Sequence, residues 1–282
     1  MAKEHENKPK IQGKLVKIDS RTGTTKNGKE YLGGSLHIET GEDNIIPVSF
    51  FATPEKKDGN PNPVYASLKT VVDEYKSIDS HGRDEADLVE VGATRMQENA
   101  FYVRDGQLVR GFQILAPFFN RKAKLDPEGT FAMSGEIVKV SDEIIKDEPT
   151  GNVIVTLLVV TYGNTANLID FSIEGEKGVQ YAKTNFVQGM EVKLSGEIKV
   201  VEVIEEKTEE AAFGAPIVEE IRRTERKLLV TSATPPVDSA ITEEERSTML
   251  AERESKLQSM KEDFLAKQKG KSKPKGAADF SL

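Results

Sequence analysis

Three cations and an aromatic ring crowd one short polar turn near the start of the chain. Arg21, Lys26 and Lys29 sit among glycines and threonines, and the turn closes onto Tyr31. A second segment has the same chemistry: Phe101-Tyr102-Val103-Arg104-Asp105-Gly106, followed by Arg110 and Phe112. Ammonium and guanidinium groups neutralise phosphates, and flat rings stack on unpaired bases. Together they suit contact with a single-stranded polyanion. Lys14 and Lys17 precede the first turn, and Phe51 alternates onto the same face as Tyr31, away from the expected core. The expected phosphate contacts are therefore Lys14, Lys17, Arg21, Lys26, Lys29, Arg104 and Arg110, with Tyr31, Phe51 and Tyr102 stacking on bases. The plainer reading is that rings on strands are core and that turn lysines serve solubility; Phe50 and Phe112 are expected to be buried on that ground.

No catalytic constellation accompanies these residues. His5, His37 and His81 are scattered, with no metal-ligand spacing, and no nucleophile motif or phosphate-binding glycine loop is present. Glu205-Glu206 and Glu209-Glu210 lack the spacing of a calcium loop and read as a solvated acidic segment. Binding without chemistry is the expectation: no enzyme, no cofactor and no metal.

The elements that must position these residues come as a repeat. Ile11-Gln12-Gly13-Lys14-Leu15-Val16-Lys17-Ile18 matches Met133-Ser134-Gly135-Glu136-Ile137-Val138-Lys139-Val140 as Gly-charge-aliphatic-Val-Lys-aliphatic. Each copy continues with a polar turn, an alternating run (Tyr31 to Thr40; Val153 to Tyr162), a tight turn, a second run, a helical segment and a strand pair. Helices are expected over Val64 to Ile78 and Gly178 to Phe186. Val153 to Tyr162 is apolar enough to be buried on both faces. Asp105-Gly106 marks a hairpin turn.

The order strand, strand, strand, helix, strand, strand predicts a mainly β protein. It consists of two tandem OB-fold-like five-stranded barrels, each with one helix, then a C-terminal helix and a disordered basic tail. The expected boundaries are 11–128 for the first barrel, 129–236 for the second, 237–266 for the helix and 267–282 for the tail. Residues 1–10 are expected to fray. Thr242 to Glu245 reads as a capping box opening the last helix, whose Leu250, Leu257 and Phe264 recur seven apart. That helix is expected either to pack on a barrel or to pair with a second subunit.

The 282 residues are 37% hydrophobic and 30% charged, enough for two small cores. There is no cysteine and no membrane-length apolar run, which points to a cytoplasmic setting. The net charge of −8 is concentrated in the second copy. Ten of the 18 Phe and Tyr fall in residues 1–130, so the first copy is expected to bind nucleic acid. The acidic second copy would serve as spacer or interaction domain.

On the paired barrels, the basic aromatic turns and the tail, the chain resembles single-stranded DNA-binding proteins of the phage replication type. The resemblance covers about 220 residues and is one of architecture. It implies a coat that protects single-stranded DNA in replication or recombination, in a host cytoplasm if the source is viral. It also implies a tail whose tip recruits partner enzymes, here through Asp279, Phe280 and Leu282. The tip departs from the bacterial pattern in having one acid and a lysine-rich lead-in. The competing class is an OB-fold protein-interaction or virion-assembly module that does not touch nucleic acid.

Overall fold

A computed structural model describes residues 4–25, 27–103, 106–145, 147–209 and 217–271, and of 201–209, 217–223 and 269–271 the backbone alone. The alternating runs all fold as strands. The first copy comprises β1 (Asn7–Thr24), β2 (Glu30–Gly41), β3 (Asn44–Ala52), α1 (Pro63–Glu74), the single turn α2 (Ile78–His81), β4 (Leu88–Gly92), β5 (Arg95–Tyr102), β6 (Leu108–Leu115) and β7 (Phe118–Lys122). The second comprises β8 (Glu128–Ile145), β9 (Glu148–Thr161), β10 (Thr165–Ile173), α3 (Glu176–Asn185), β11 (Met190–Glu209) and β12 (Ile217–Ala233). The short β13 (Val237–Asp238) and α4 (Glu243–Lys271) follow.

Both copies close in the same way. β1, β2 and β3 run antiparallel, β3 meets β6 in parallel at Val48 and Ile114, and β4 returns to β1. In the second copy β8, β9 and β10 run antiparallel, β10 meets β12 in parallel at Ser172 and Leu229, and β11 returns to β8. This is the OB-fold strand order, as the repeat predicts. The fourth and fifth strands of the first barrel are each broken once, at Ala93-Thr94 and Ala116-Pro117. β4–β7 and β5–β6 are therefore one interrupted hairpin.

The repeated Gly-charge-aliphatic-Val-Lys motif marks where the first strand of each barrel bends. A bulge falls between Leu15 and Lys17 and another between Ile137 and Lys139. A Cβ on Gly13 would stand 1.9 Å from the Glu39 carbonyl oxygen, so only glycine allows β1 to lie this close to β2. Leu15, Leu36, Ile38, Val48, Phe50, Phe112 and Ile114 fill the first core, and Phe131, Ile137, Val155, Leu157, Phe171 and Leu194 fill the second.

Several elements differ from the sequence reading. The stretch before Ile11 is not frayed from residue 4 onward. Asn7–Gln12 pairs with Glu128–Met133 of the second barrel, because β1 is long enough to serve both barrels in succession. Val160 N–H donates to His5 Nδ1 at 2.9 Å, which ties down a histidine expected in flexible surface. The segment Glu205 to Glu220, read as an acidic loop, carries the arms of the β11–β12 hairpin wherever it is described. β7 carries no strand signature in the sequence, because a five-residue strand ending in Asn120-Arg121-Lys122 lacks the alternation of a half-buried strand.

α4 packs on the barrels of its own chain. The capping box forms as predicted: Glu245 N–H donates to Thr242 Oγ1 and Thr242 N–H to Glu245 Oε2. Ile241 and Met249 then bury against Leu158 and Val160, with Val138, Ala166, Leu168 and Leu250 alongside. This explains why Val153 to Val160 is apolar on both sides. One face lines the barrel interior, and part of the other lies under α4. The helix continues onto the first barrel, where Arg253 meets Glu98 and Phe264 meets Tyr102.

Candidate nucleic-acid interface

Register decides which side chains share the outward face of the first barrel. Lys17 pairs with His37, Asp19 with Ser35, Arg21 with Gly33 and Gly23 with Tyr31. Across the next ladder Gly33 pairs with Phe51, Ser35 with Ser49 and His37 with Pro47. Ser49 then neighbours Leu115 of β6. Directly paired residues point to the same side of a sheet. The face is therefore a floor of small residues (Gly33, Ser35, Ser49) with rings at one end.

Those rings are Tyr31 and Phe51. Their centroids lie 5.2 Å apart with planes 29° from parallel, a stacked pair. Phe51 keeps 57% of its surface in solvent. A phenylalanine left so open on a face whose neighbouring strand positions are glycine and serine is not explained by core packing. A groove of about 600 Å³ runs along the floor, lined by Arg21, Tyr31, Phe51, Ser35, Ser49 and Gln113 among others. The floor depends on Gly34, whose added Cβ would meet the Asp19 carbonyl oxygen at 1.9 Å.

Charge along the face is mostly compensated except at Arg21. Lys17 pairs with Asp19 at 2.8 Å, and His37 Nε2 lies 3.1 Å from the same carboxylate. Burial pushes the His37 imidazole below its ordinary range. Asp19 opposes this, while Lys17 and Arg226 reinforce it. Lys14 stands at the far end of the face and donates to the Arg83 carbonyl at 2.8 Å. Lys29 lies at the rim of the first turn, 3.8 Å from Glu55. Arg21 has no ion-pair partner among the described residues.

The structure thus brings Arg21, Tyr31 and Phe51 together, with Lys29 at the rim of the turn and Lys17 and Lys14 farther along β1. Tyr102 and Arg110 lie elsewhere. Tyr102 packs against Phe264 of α4 at 6.3 Å between centroids. Arg110 donates to Glu98 at 2.9 Å and to the Leu168 carbonyl at 3.1 Å, across the seam between the barrels. Lys26, Arg104 and the tail residues Asp279, Phe280 and Leu282 lie outside the described residues. Ser35, Ser49 and Gln113 line the groove without having been among the expected contacts, and Phe101, part of the second basic segment, is exposed. Strict alternation from Tyr31 and Phe51 would have found the two serines. Among the described residues no cluster of His, Asp and Glu could hold a metal, and no helix is long and apolar enough to cross a membrane.

The second barrel carries a different set at the matching positions. Counted from the paired bulges, Glu143 stands where Arg21 does, Thr150 where Tyr31 does and Glu174 where Phe51 does. Glu143 accepts from Thr150 and Asn152 at 2.7 and 2.9 Å, and Lys227 bridges it to Glu174. Burial raises the Glu143 pKa, but these hydrogen bonds and the Lys227 ammonium outweigh it and hold the carboxyl below its usual range. The rest of this face lies beneath α4. It offers carboxylates where the first barrel offers a cation and two rings.

The chain is similar in fold to the wild-type single-stranded DNA binding protein from Thermus aquaticus. The TM-score is 0.51 at 12% identity, covering 85% of this chain and 97% of that one. A deletion mutant of the same Thermus aquaticus protein gives the same score and identity, over 85% of this chain and 98% of that one. At this identity the likeness concerns the fold alone, and it extends to both barrels. No curated protein matches the chain. A family model does match, over residues 5–263, which takes in both barrels and most of α4: the chain belongs to the YorF family.

Proposed function

We propose that this protein binds single-stranded DNA through the outward face of its first barrel, without chemistry, and so coats and protects exposed strands in replication or recombination. The observation that carries the reading is the Tyr31–Phe51 stack, open to solvent on a glycine and serine floor beside Arg21, which has no ion-pair partner among the described residues. Bases stack on the rings, and the small floor lets the sugar-phosphate chain lie close to the sheet. Arg21 meets a phosphate, with Lys17, Lys29 and Lys14 adding to the local potential. Lys26 and Arg104 belong to the same expected set. Tyr102 and Arg110 have roles in the packing of α4 and of the barrels, so their contribution to binding is indirect. The likeness to the Thermus aquaticus protein supports the reading at the level of fold. The tail residues Asp279, Phe280 and Leu282 would recruit replication or recombination proteins.

The test is a fluorescence-anisotropy titration of labelled oligo-dT from low to moderate salt, with a duplex competitor. The expected result is tight single-strand binding that weakens with salt by a slope of about −0.7 per phosphate contacted. No binding at low salt would overturn the reading and leave the barrels as a protein-interaction module.

A further inference from the structure

A second groove, of about 500 Å³, opens beyond the first, between β5, the β9–β10 turn and α4. Gln97, Asn99, Gln113, Asn164, Lys256 and Met260 are among its lining residues. Gln113 also lines the Tyr31–Phe51 groove, so the two recesses meet at that side chain. They share one sheet surface: Gln113 pairs with Gln97, and Leu115, beside Ser49, pairs with Arg95. Strands lie about 4.8 Å apart, so a chain leaving Tyr31 on β2 crosses β3 and β6 to reach β5 over about 14 Å across the strands, and it also shifts along them to meet Gln97.

The lining has a particular chemistry. Gln97, Asn99 and Gln113 stand in a patch on one face of β5 and β6, and their amides have no hydrogen-bond partner among the described residues. Each amide offers both donor and acceptor, which matches the edges of unpaired bases of any identity. Phe101 continues the same face of β5 and is 45% exposed. Lys256 of α4 lines the same groove and has no ion-pair partner among the described residues. The nearby carboxylate of Glu98 is neutralised by Arg110 and Arg253. Glu252 stands one turn before Lys256, so the polyanion is expected to pass on the C-terminal side of that turn.

We infer that this amide-floored groove under α4 is a second subsite for the same single strand, receiving the bases that run on past the Tyr31–Phe51 stack, with Lys256 as its phosphate contact. The inference rests on the function proposed above and adds that α4 forms a wall of the binding site.

The experiment compares two oligo-dT probes on the full chain: about 4 nucleotides, enough for the aromatic end, and about 16, enough to cross both grooves. The variants are Lys256→Glu and the pair Gln97→Ala with Asn99→Ala; all three side chains lie in the groove lining, away from the buried core. The expected result is that wild type prefers the longer probe. Either variant then weakens it about tenfold or more, with a shallower salt slope for Lys256→Glu, and leaves the short probe unchanged. Equal affinity of wild type for both probes, or losses equal on both, or no loss, would overturn the second subsite while leaving the first in place. Failure of both probes to bind wild type at low salt would instead remove the proposed function and this inference with it.

Discussion

Replacing Tyr31 with alanine removes one half of the stacked pair and leaves Phe51 without its neighbour. A base–ring stack is worth about 1–3 kcal/mol, so Tyr31→Ala and Phe51→Ala should each weaken oligo-dT binding roughly 5- to 150-fold, with little change in thermal stability. Arg21→Glu should weaken binding and flatten the salt dependence by about one phosphate's worth, read from the slope of log affinity against log salt. His37 supplies a stability prediction with a definite sign. Its folded-state pKa lies below the unfolded value, so the unfolded chain takes up the proton first as the solution is acidified. Its contribution is full above pH 6.5 and is lost as pH falls through the folded pKa. Denaturation at pH 7.5 and 5.5 should show a loss in wild type that is smaller in His37→Gln; equal losses in the two proteins would exclude His37 as the source. Period-two alternation was enough to place Phe51 on the outside and Phe50 inside. It could not show that Tyr102 lies under α4, because that contact joins residues far apart in sequence and belongs to tertiary packing.

At the scale of elements, α4 is held by two ion pairs whose carboxylates are almost wholly removed from water. Glu136 receives Arg246 and the Ser239 hydroxyl, and Glu98 receives Arg253 and Arg110. Burial alone would raise the Glu98 pKa, but the Arg253 and Arg110 guanidinium groups and the Leu168 N–H outweigh it and hold the carboxyl below its usual range. Removing one partner strands a buried charge. Arg246→Ala, which leaves Glu136 with no cation among the described residues, should therefore cost about 3 kcal/mol in a denaturant titration, with the neutral pair Glu136→Gln/Arg246→Met recovering part of the loss. A recovery of nothing would mean that the arginine matters through its packing instead. The capping box and the 250/257/264 stripe were legible in the sequence, and so was the helix. Its destination was not, because a stripe on a helix states that something is covered and not what. The clue lay elsewhere, in the two-sided apolarity of Val153 to Val160, whose outer residues Leu158 and Val160 are the surface that α4 covers.

On the scale of the whole molecule the two barrels do not behave as beads on a string. Asn44, the first residue of β3 in the first, donates to the Ile198 carbonyl at 2.9 Å and accepts from Val200 N–H at 2.8 Å in the second, and it is buried there. With the shared strand β1 and the Glu98 seam, this predicts a single calorimetric transition for the full chain. Asn44→Ala leaves two buried backbone groups of β11 unpaired, and it should lower the transition and broaden it towards two steps. A pair of well-separated transitions in wild type would contradict the coupling. The duplication was readable because the glycine-bearing bulge motif is written twice. The coupling was not, since Asn44 reads locally as an ordinary turn residue.

β1 also sets a timetable. Its first half, Asn7–Gln12, has its partner in Glu128–Met133, more than a hundred residues later. At roughly 5–20 residues per second of synthesis, that stretch waits many seconds with its backbone unmatched while the rest of the first barrel is already available to close. Ribosome-bound chains arrested before Glu128 should be cut by protease within the first dozen residues, and chains arrested well past Thr161 should resist. Asn7–Gln12 is thus among the last parts of the barrels to find its place.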